Sequence, residues 1–341
     1  MKLGHSNILA RISLLFMGLA FTLLAAELVF RLFPEYKLSQ YANKNTIAPM
    51  LKSMNRAARD YHIYRPSNIL GYELIPNSVV GVNSFGMIGK EHGLSKNKGT
   101  YRILVLGDSV TEHNWYVDFL EEKLNNHVLS LKYDFELWNG GVSGYQVDQY
   151  AAYLKYKGLR YDPDMLLIGL CLNDFDVLYQ VYYKDNNGFT IFYDPNYKLS
   201  KYIPLNRFLF KHFYFYRFLA SRLGSLLQKS DSKIEGLRYL KEIKDICEKR
   251  RISVLCVIFP YMKPFDEYKD FEKKKYREML DVLNTLNIEF IDLNKFFPDE
   301  TRFALREDKD DYIHPSKEGH AIIAGAIYGY LTKNYFLKNE E

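Results

Sequence analysis

At 341 residues the chain has room for one large domain or two small ones, and its 48% hydrophobic content is enough to bury a full core. Its formal net charge of +5 comes from 46 Lys and Arg interleaved with 41 Asp and Glu, a pattern that leaves no basic footprint for a nucleic acid. The 3 cysteines form no disulfide framework; Cys171, Cys247 and Cys256 fall in apolar or helical patterns, where packing rather than redox chemistry is expected.

Residues 1–36 read as a membrane segment. No charge occurs over 12–26, and the apolar character resumes through Leu28, Val29, Phe30, Leu32 and Phe33. A helix over 12–33 would span ~33 Å at about 1.5 Å per residue, enough for a hydrocarbon core. A cleaved signal peptide would need a better small-residue site than Leu24-Ala25-Ala26, and all-round hydrophobicity disfavours a buried soluble helix. The expectation is an uncleaved anchor, with Glu27 and Arg31 paired at i,i+4 near its end and Pro34 terminating it. Lys2 and Arg11 flank one side and Arg31, Lys37 and Lys44 the other, so the charge rule scarcely sets orientation. A signal-anchor with the large domain outside the cytoplasm is the expected arrangement.

Residues 37–100 form a lead-in. A short helix is expected over 49–60, followed by turns and short hairpins punctuated by Pro66, Gly71, Pro76, Gly81, Gly86 and Gly89. Asn83-Ser84-Phe85-Gly86 reads as a tight turn. From Tyr101 the pattern alternates. Strands are expected over 101–106, 132–138, 164–170, 252–258 and 288–292, and helices over 111–126, 146–158, 233–250, 267–286 and 316–334. Such alternation argues for an α/β domain, a parallel sheet with helices on both faces. The interval 175–232 breaks the rhythm with Tyr179, Tyr182, Tyr183, Phe189, Phe192, Tyr193, Tyr197 and Tyr202, then an aromatic run over 208–218. It reads as an insertion with its own helix near 205–227. A lid, a substrate-binding wall, a surface resting on lipid and ordinary packing are all open to it.

Four places carry groups suited to chemistry. An apolar strand over 103–106 ends in Gly107-Asp108-Ser109 before a helix, which puts a small hydroxyl at the carboxyl edge of a sheet, where open α/β folds place ligands. Ser109 is either a nucleophile or simply the cap of that helix. The loop Trp138-Asn139-Gly140-Gly141-Val142-Ser143-Gly144 follows another strand, and glycine there lets a backbone N–H approach a reacting oxygen. A third strand runs into Asn173-Asp174, an amide donor or a helix cap. The fourth is Asp308-Lys309-Asp310-Asp311-Tyr312-Ile313-His314-Pro315. Its imidazole with a carboxylate three residues earlier makes the base-and-orienter pair a serine nucleophile requires. Pro315 suits the first turn of the next helix and would fix His314 at a rigid junction. A capping histidine in an acidic loop and a metal site are the alternatives, though no second histidine stands at ligand spacing.

With Gly107-Asp108-Ser109-Val110, Gly144, Asn173-Asp174 and Asp311-Tyr312-Ile313-His314 in that order, the chain resembles the GDSL/SGNH hydrolase family over roughly 101–334. Leu70-Gly71-Tyr72 through Asn83-Ser84, together with Glu27 and Arg31, also look like the lead-in and anchor of membrane-anchored bacterial relatives. The resemblance implies a flavodoxin-like three-layer α/β/α fold with a parallel sheet, preceded by an N-terminal transmembrane helix. It implies Ser109 as nucleophile, His314 as base and Asp311 as its orienter. The oxyanion hole would comprise the N–H groups of Ser109 and Gly144 and the side chain of Asn173. No cofactor or metal is implied. Gly107 to Thr111 is not a G-x-S-x-G elbow, which separates the chain from α/β-hydrolases. Departures from the family pattern are Val110 for Leu, Cys171 at a glycine position beside Asn173, and His113 where glycine is common. His113 is the runner-up base, with no carboxylate orienter near it in sequence; His5, His62, His92, His127, His212 and His320 have no evident partner.

The expected partners are a small-molecule or glycan ester substrate and, through the N-terminal helix, a membrane. The leading expectation is an anchored serine esterase acting on an O-acetyl group of an envelope glycan or lipid. An O-acyltransferase, in which a sugar hydroxyl replaces water, keeps the same residues. A catalytically inactive glycan-binding or assembly protein is the remaining class.

Overall fold

The computed structural model describes residues 3–32, 63–67, 69–78, 81–126, 132–177, 181–184, 190–193, 205–216, 218–220 and 232–336. The helix expected over 49–60 lies outside them. The chain divides into two compact units, Met1–Tyr61 with Tyr179–Lys229, and His62–Leu178 with Ser230–Glu341.

The first unit is built on helix α1 (Leu3–Leu32). Within it Ala10–Leu32 has a mean hydropathy of 2.2 and is long and apolar enough to cross a membrane. Leu14, Leu15, Phe16, Phe21 and Leu24 stand exposed on it. Near its end Glu27 accepts from Arg31 Nε at 2.8 Å and from the backbone N–H of Tyr214 and Phe215 at 3.1 and 2.9 Å. Arg31 also donates to the carbonyl of His212 at 2.9 Å. The helix expected near 205–227 is therefore interrupted. Asn206–His212 is helical, Phe213 is extended with φ −120° and ψ 117°, and a new turn starts at Tyr214. Two N–H groups freed by that break are satisfied by the Glu27 carboxylate, a partner no local pattern reveals. Val181–Lys184 and Thr190–Tyr193 pair as an antiparallel hairpin.

The second unit begins with the hairpin β1 (Tyr64–Ser67) and β2 (Gly71–Leu74). Its sheet holds β3 (Thr100–Leu106), β4 (Asp134–Asn139), β5 (Met165–Leu170), β6 (Ser253–Ile258) and β7 (Glu289–Asp292). All neighbours are parallel, in the order β4-β3-β5-β6-β7. Counted from the first strand of the sheet this is 2-1-3-4-5, the flavodoxin-like order, with a switch point beside β3. Its strands are nearly continuous apolar runs because both faces are covered. Ile103, Val105, Leu167 and Val257 pack with Tyr116 and Leu120 of helix α2 (Trp115–Asn125). Ile323 and Ile327 of the last long helix, Lys317–Leu331, join the same cluster. Leu104, Leu106, Leu166 and Ile168 alternate to the other face, all but fully buried. There α3 (Val147–Tyr156), α4 (Ser232–Arg250) and α5 (Asp270–Thr285) pack side by side. Lys317–Leu331 is α6 below.

Two expected details differ. The helix expected over 111–126 is split into a turn, Ser109–Glu112, and α2, because Asn114 lies between them at φ +65°. Asparagine tolerates that conformation, and its Oδ1 accepts from Asn139 Nδ2 at 2.8 Å. Pro315 lies outside α6 rather than in its first turn. Ser316 is the cap, its Oγ accepting from the N–H of Gly319 at 3.3 Å, which leaves Pro315 paired with Arg306 in an isolated bridge. The tight turn at Asn83 is present: Gly86 N–H donates to the Asn83 carbonyl at 3.0 Å.

Arg102 in β3 is completely buried. It bonds Glu136 at 2.8 Å and the carbonyls of Tyr161, Gly93 and Leu94 at 2.5, 2.9 and 3.1 Å, with Trp138 stacked 4.7 Å away. Arg102→Ala strands the buried Glu136 and three carbonyls, so a loss of about 3–5 kcal/mol in unfolding free energy is expected by denaturant titration.

Candidate active site

Strand β3 ends at Leu106, and the turn at Gly107 has room only for glycine, since a Cβ there would lie 2.0 Å from Thr111 Oγ1. The turn that follows is capped by Asp108, whose Oδ1 accepts from Val110 N–H at 3.0 Å. Ser109 is thus the first residue of the turn and not its cap, and its Oγ is left for another partner. That partner is His314, with Nε2 2.7 Å from Ser109 Oγ across 205 positions of sequence. On the other side of the ring, Nδ1 is 2.6 Å from Asp311 Oδ2. The same aspartate accepts from the N–H of Ile313 and His314 at 2.8 and 3.1 Å, so the loop folds around its own carboxylate. The loop is held to the sheet edge where Met262 N–H donates to the Tyr312 carbonyl at 2.7 Å and Arg306 Nε to the Met262 carbonyl at 2.6 Å.

The loop after β4 reaches the same edge. Val142 N–H donates to the Gly107 carbonyl at 3.1 Å, and Gly144 takes φ +77°, a conformation that favours glycine. The residues after β5 form a turn, not a helix, so neither Asn173 nor Asp174 is a helix cap. Instead Asp174 is wholly buried and accepts from Cys171 N–H and Tyr150 Oη, both at 2.9 Å. The two loops are tied together, with Val147 N–H on the Asp174 carbonyl at 3.0 Å and Gln146 Nε2 on the Asn173 carbonyl at 3.3 Å. Ser109, Gly144, Asn173 and His314 therefore all stand on loops at the carboxyl edge of the sheet.

A family model described as GDSL-like lipase/acylhydrolase matches residues 105–322, well over half of the chain. The chain belongs to that family. As a GDSL-like acylhydrolase it is a serine hydrolase acting on ester bonds. Among solved structures it is similar to Axe2, an acetylxylan esterase from Geobacillus stearothermophilus, at 18% identity and TM-score 0.44, covering 69% of this chain and 94% of that one. It is also similar to LAE5, described as an alpha/beta hydrolase enzyme from the metagenome of Lake Arreo, Spain, at 16% identity and TM-score 0.45, covering 67% and 94%. No curated protein matches it.

The electrostatics of this GDSL-like site follow from burial and from its neighbouring carboxylates. Burial works against a charged His314, but the hydrogen bond and charge of Asp311, then the charges of Asp108 and Glu307, outweigh it and raise the imidazole above its ordinary range. Burial likewise opposes ionisation of Asp311, yet its bonds with His314 and the nearby N–H groups hold it below the usual carboxylate range. Beneath the serine, burial raises Asp108, and burial together with the charge of Asp108 raises Asp174 further. Cys171 is buried with its thiol pushed well up by desolvation, so it stays protonated.

Other histidines acquire partners that sequence spacing hid. His113 has a carboxylate after all, with Glu307 Oε2 3.6 Å from its Nδ1, and its ring stacks 5.4 Å from that of His314. Burial and the charge of His314 push it down to about 4, so it is neutral where His314 titrates. His320, buried in α6, stacks at 6.0 Å on His113 and is pushed down to about 3 by burial. His92 lies 3.3 Å from Glu121. Among the described residues, no three His, Cys, Asp or Glu side chains converge in a way that could hold a metal ion. Asn139 is a contributor the sequence reading passed over. Its amide bonds the Thr111 carbonyl at 2.7 Å and its Oδ1 accepts from Gly141 N–H at 2.8 Å, joining the two loops nearest the serine.

Proposed function

We propose that the protein is a membrane-anchored esterase of the SGNH type that works through an acyl-enzyme on Ser109, with an O-acetyl ester of an envelope glycan or lipid as its substrate. The observation that carries this reading is the unbroken hydrogen-bonded chain from Asp311 through His314 to Ser109 Oγ. His314 takes the hydroxyl proton as Oγ adds to the ester carbonyl, and Asp311 stabilises the imidazolium that forms. The negative charge on the former carbonyl oxygen meets the N–H groups of Ser109 and Gly144 and the amide of Asn173. Collapse expels the alcohol, which receives the proton held by His314. Water, deprotonated by the same imidazole, then releases the carboxylic acid and restores the serine.

The anchor reading is supported by Ala10–Leu32, whose 23 residues reach ~35 Å as a helix at about 1.5 Å per residue. Such an anchor confines the esterase to a bilayer surface, which favours an envelope substrate. With full-length protein, acetylated sugars and short-chain acyl esters are expected to release free acid in a Ser109-dependent manner. The protein is expected to resist alkaline extraction from membranes unless 1–36 is removed. Acyl groups passing to an added glycan in place of water would make it an O-acyltransferase. Failure of a fluorophosphonate to label Ser109 would leave a glycan-binding protein.

A further inference from the structure

Ser143, the residue before Gly144, is held at both its carbonyl and its N–H by groups that come from outside its own loop. The carbonyl of Ser143 accepts from Tyr72 Oη at 2.5 Å. The N–H of Ser143 is bound by the Glu112 carboxylate, and both oxygens of that carboxylate accept from Tyr64 Oη at 2.7 Å. Glu112 sits in the turn that begins at Ser109, whereas Tyr64 and Tyr72 are on β1 and β2 of the lead-in hairpin. The aromatic rings lock one another. Tyr64 meets Tyr72 edge-on at 5.7 Å, Tyr72 meets Tyr145 at 5.2 Å, and Tyr145 Oη donates to the backbone carbonyl of Tyr72. Tyr72 is 6% exposed and Tyr145 1%. The approach is close enough that a Cβ on Gly144 would lie 2.9 Å from Tyr72 Oη.

The Ser143 carbonyl and the Gly144 N–H belong to the same peptide unit. That unit is planar and trans, so the two groups point in opposite directions and whatever fixes one aims the other. A hydrogen bond to the carbonyl also polarises the peptide and strengthens its N–H as a donor. We propose that Tyr72 is a positioning residue for ester cleavage: its hydroxyl orients the Ser143–Gly144 peptide so that the Gly144 N–H faces the developing oxyanion, while Glu112, braced by Tyr64, holds the preceding N–H. The lead-in hairpin is then part of the catalytic apparatus and not simply a covering layer. Burial raises the Glu112 carboxyl, and the donors Ser143 N–H and Tyr64 Oη offset part of that rise.

This inference rests on the esterase reading, and the test separates the two. Tyr72→Phe keeps the ring packing and deletes only the hydroxyl. In the full-length protein it is expected to lower kcat for a p-nitrophenyl acyl ester about 10–50-fold, less than loss of a direct oxyanion donor, with KM changed less than about twofold. The rate ratio between an oxygen ester and its thionoester, which reports alignment of the oxyanion donors, is expected to fall with kcat. Glu112→Ala should give the same signature, and Glu112→Gln, which keeps an acceptor oxygen, should recover most of the loss. That pair also reads the hold on the adjoining Val142–Ser143 peptide if Tyr72→Phe does not fold. An active wild type whose kcat and thionoester ratio are indifferent to Tyr72→Phe, or to Glu112→Ala, overturns the positioning role alone. A wild type that neither turns over esters nor is labelled at Ser109 removes the esterase reading and the positioning role together.

Discussion

Ser109→Ala is expected to lower kcat for a short-chain acyl ester by roughly a millionfold while leaving the thermal unfolding midpoint nearly unchanged. On the proposed mechanism the rate falls because the acyl-enzyme forms on the Ser109 Oγ that His314 addresses. The fold is spared because the turn is capped by Asp108, not by the serine, and the Oγ makes its bond to His314 at the sheet edge. His314→Ala is expected to cost a similar factor, since an alcohol with no base at 2.7 Å is a poor nucleophile. Serine and imidazole act on one proton, so the double variant should be scarcely slower than either single one. Steady-state kinetics on the three variants and the wild type is the measurement. Penalties that multiply would mean that the two side chains do not share a step.

The second large effect is expected from Asp311→Asn, about 10⁴-fold in kcat, because an amide in that place favours the wrong imidazole tautomer. The pH dependence carries the sign. Asp311 supplies the leading influences that raise His314, and only the neutral ring can accept the serine proton. The kcat/KM of the wild type should therefore rise with pH through an inflection above ~6.5, the ordinary histidine value, and fall away on the acid side. In Asp311→Asn the residual activity should show its inflection moved to lower pH, since burial then acts on the ring with less opposition. An inflection that stays in place would assign the titration to another group. His113 is the obvious rival, but it is held down to about 4 and would place the acid limb far lower.

How much of this was legible in the sequence depended on whether the information was local. The strands β3, β5 and β6 begin within a residue of the expected bounds and end on them, because burial on both faces favours apolar runs, with Arg102 in β3 the buried exception. The convergence of Ser109 with His314 was legible from the Asp-x-x-His spacing and from the order of motifs shared with the family the chain resembles. What escaped notice was polar and long-range. Periodicity carries straight through Asn114, and nothing nearby signals its left-handed backbone or its bond from Asn139. Nothing near His113 in sequence announces Glu307, and nothing near Phe213 announces that Glu27 will satisfy the chain beyond it. The bond of the Tyr72 hydroxyl was not legible, since a partner some 71 positions away leaves no mark on its neighbours.

The separation of nucleophile and base also has a consequence for biosynthesis. Ser109 leaves the ribosome 205 residues before His314, about 10–40 s earlier at roughly 5–20 residues per second. During that interval the growing chain can assemble β3 to β5 yet holds a hydroxyl with nothing to deprotonate it. On the proposed mechanism a nascent chain of this design stays chemically silent through most of its synthesis and acquires reactivity only once His314 has joined the fold.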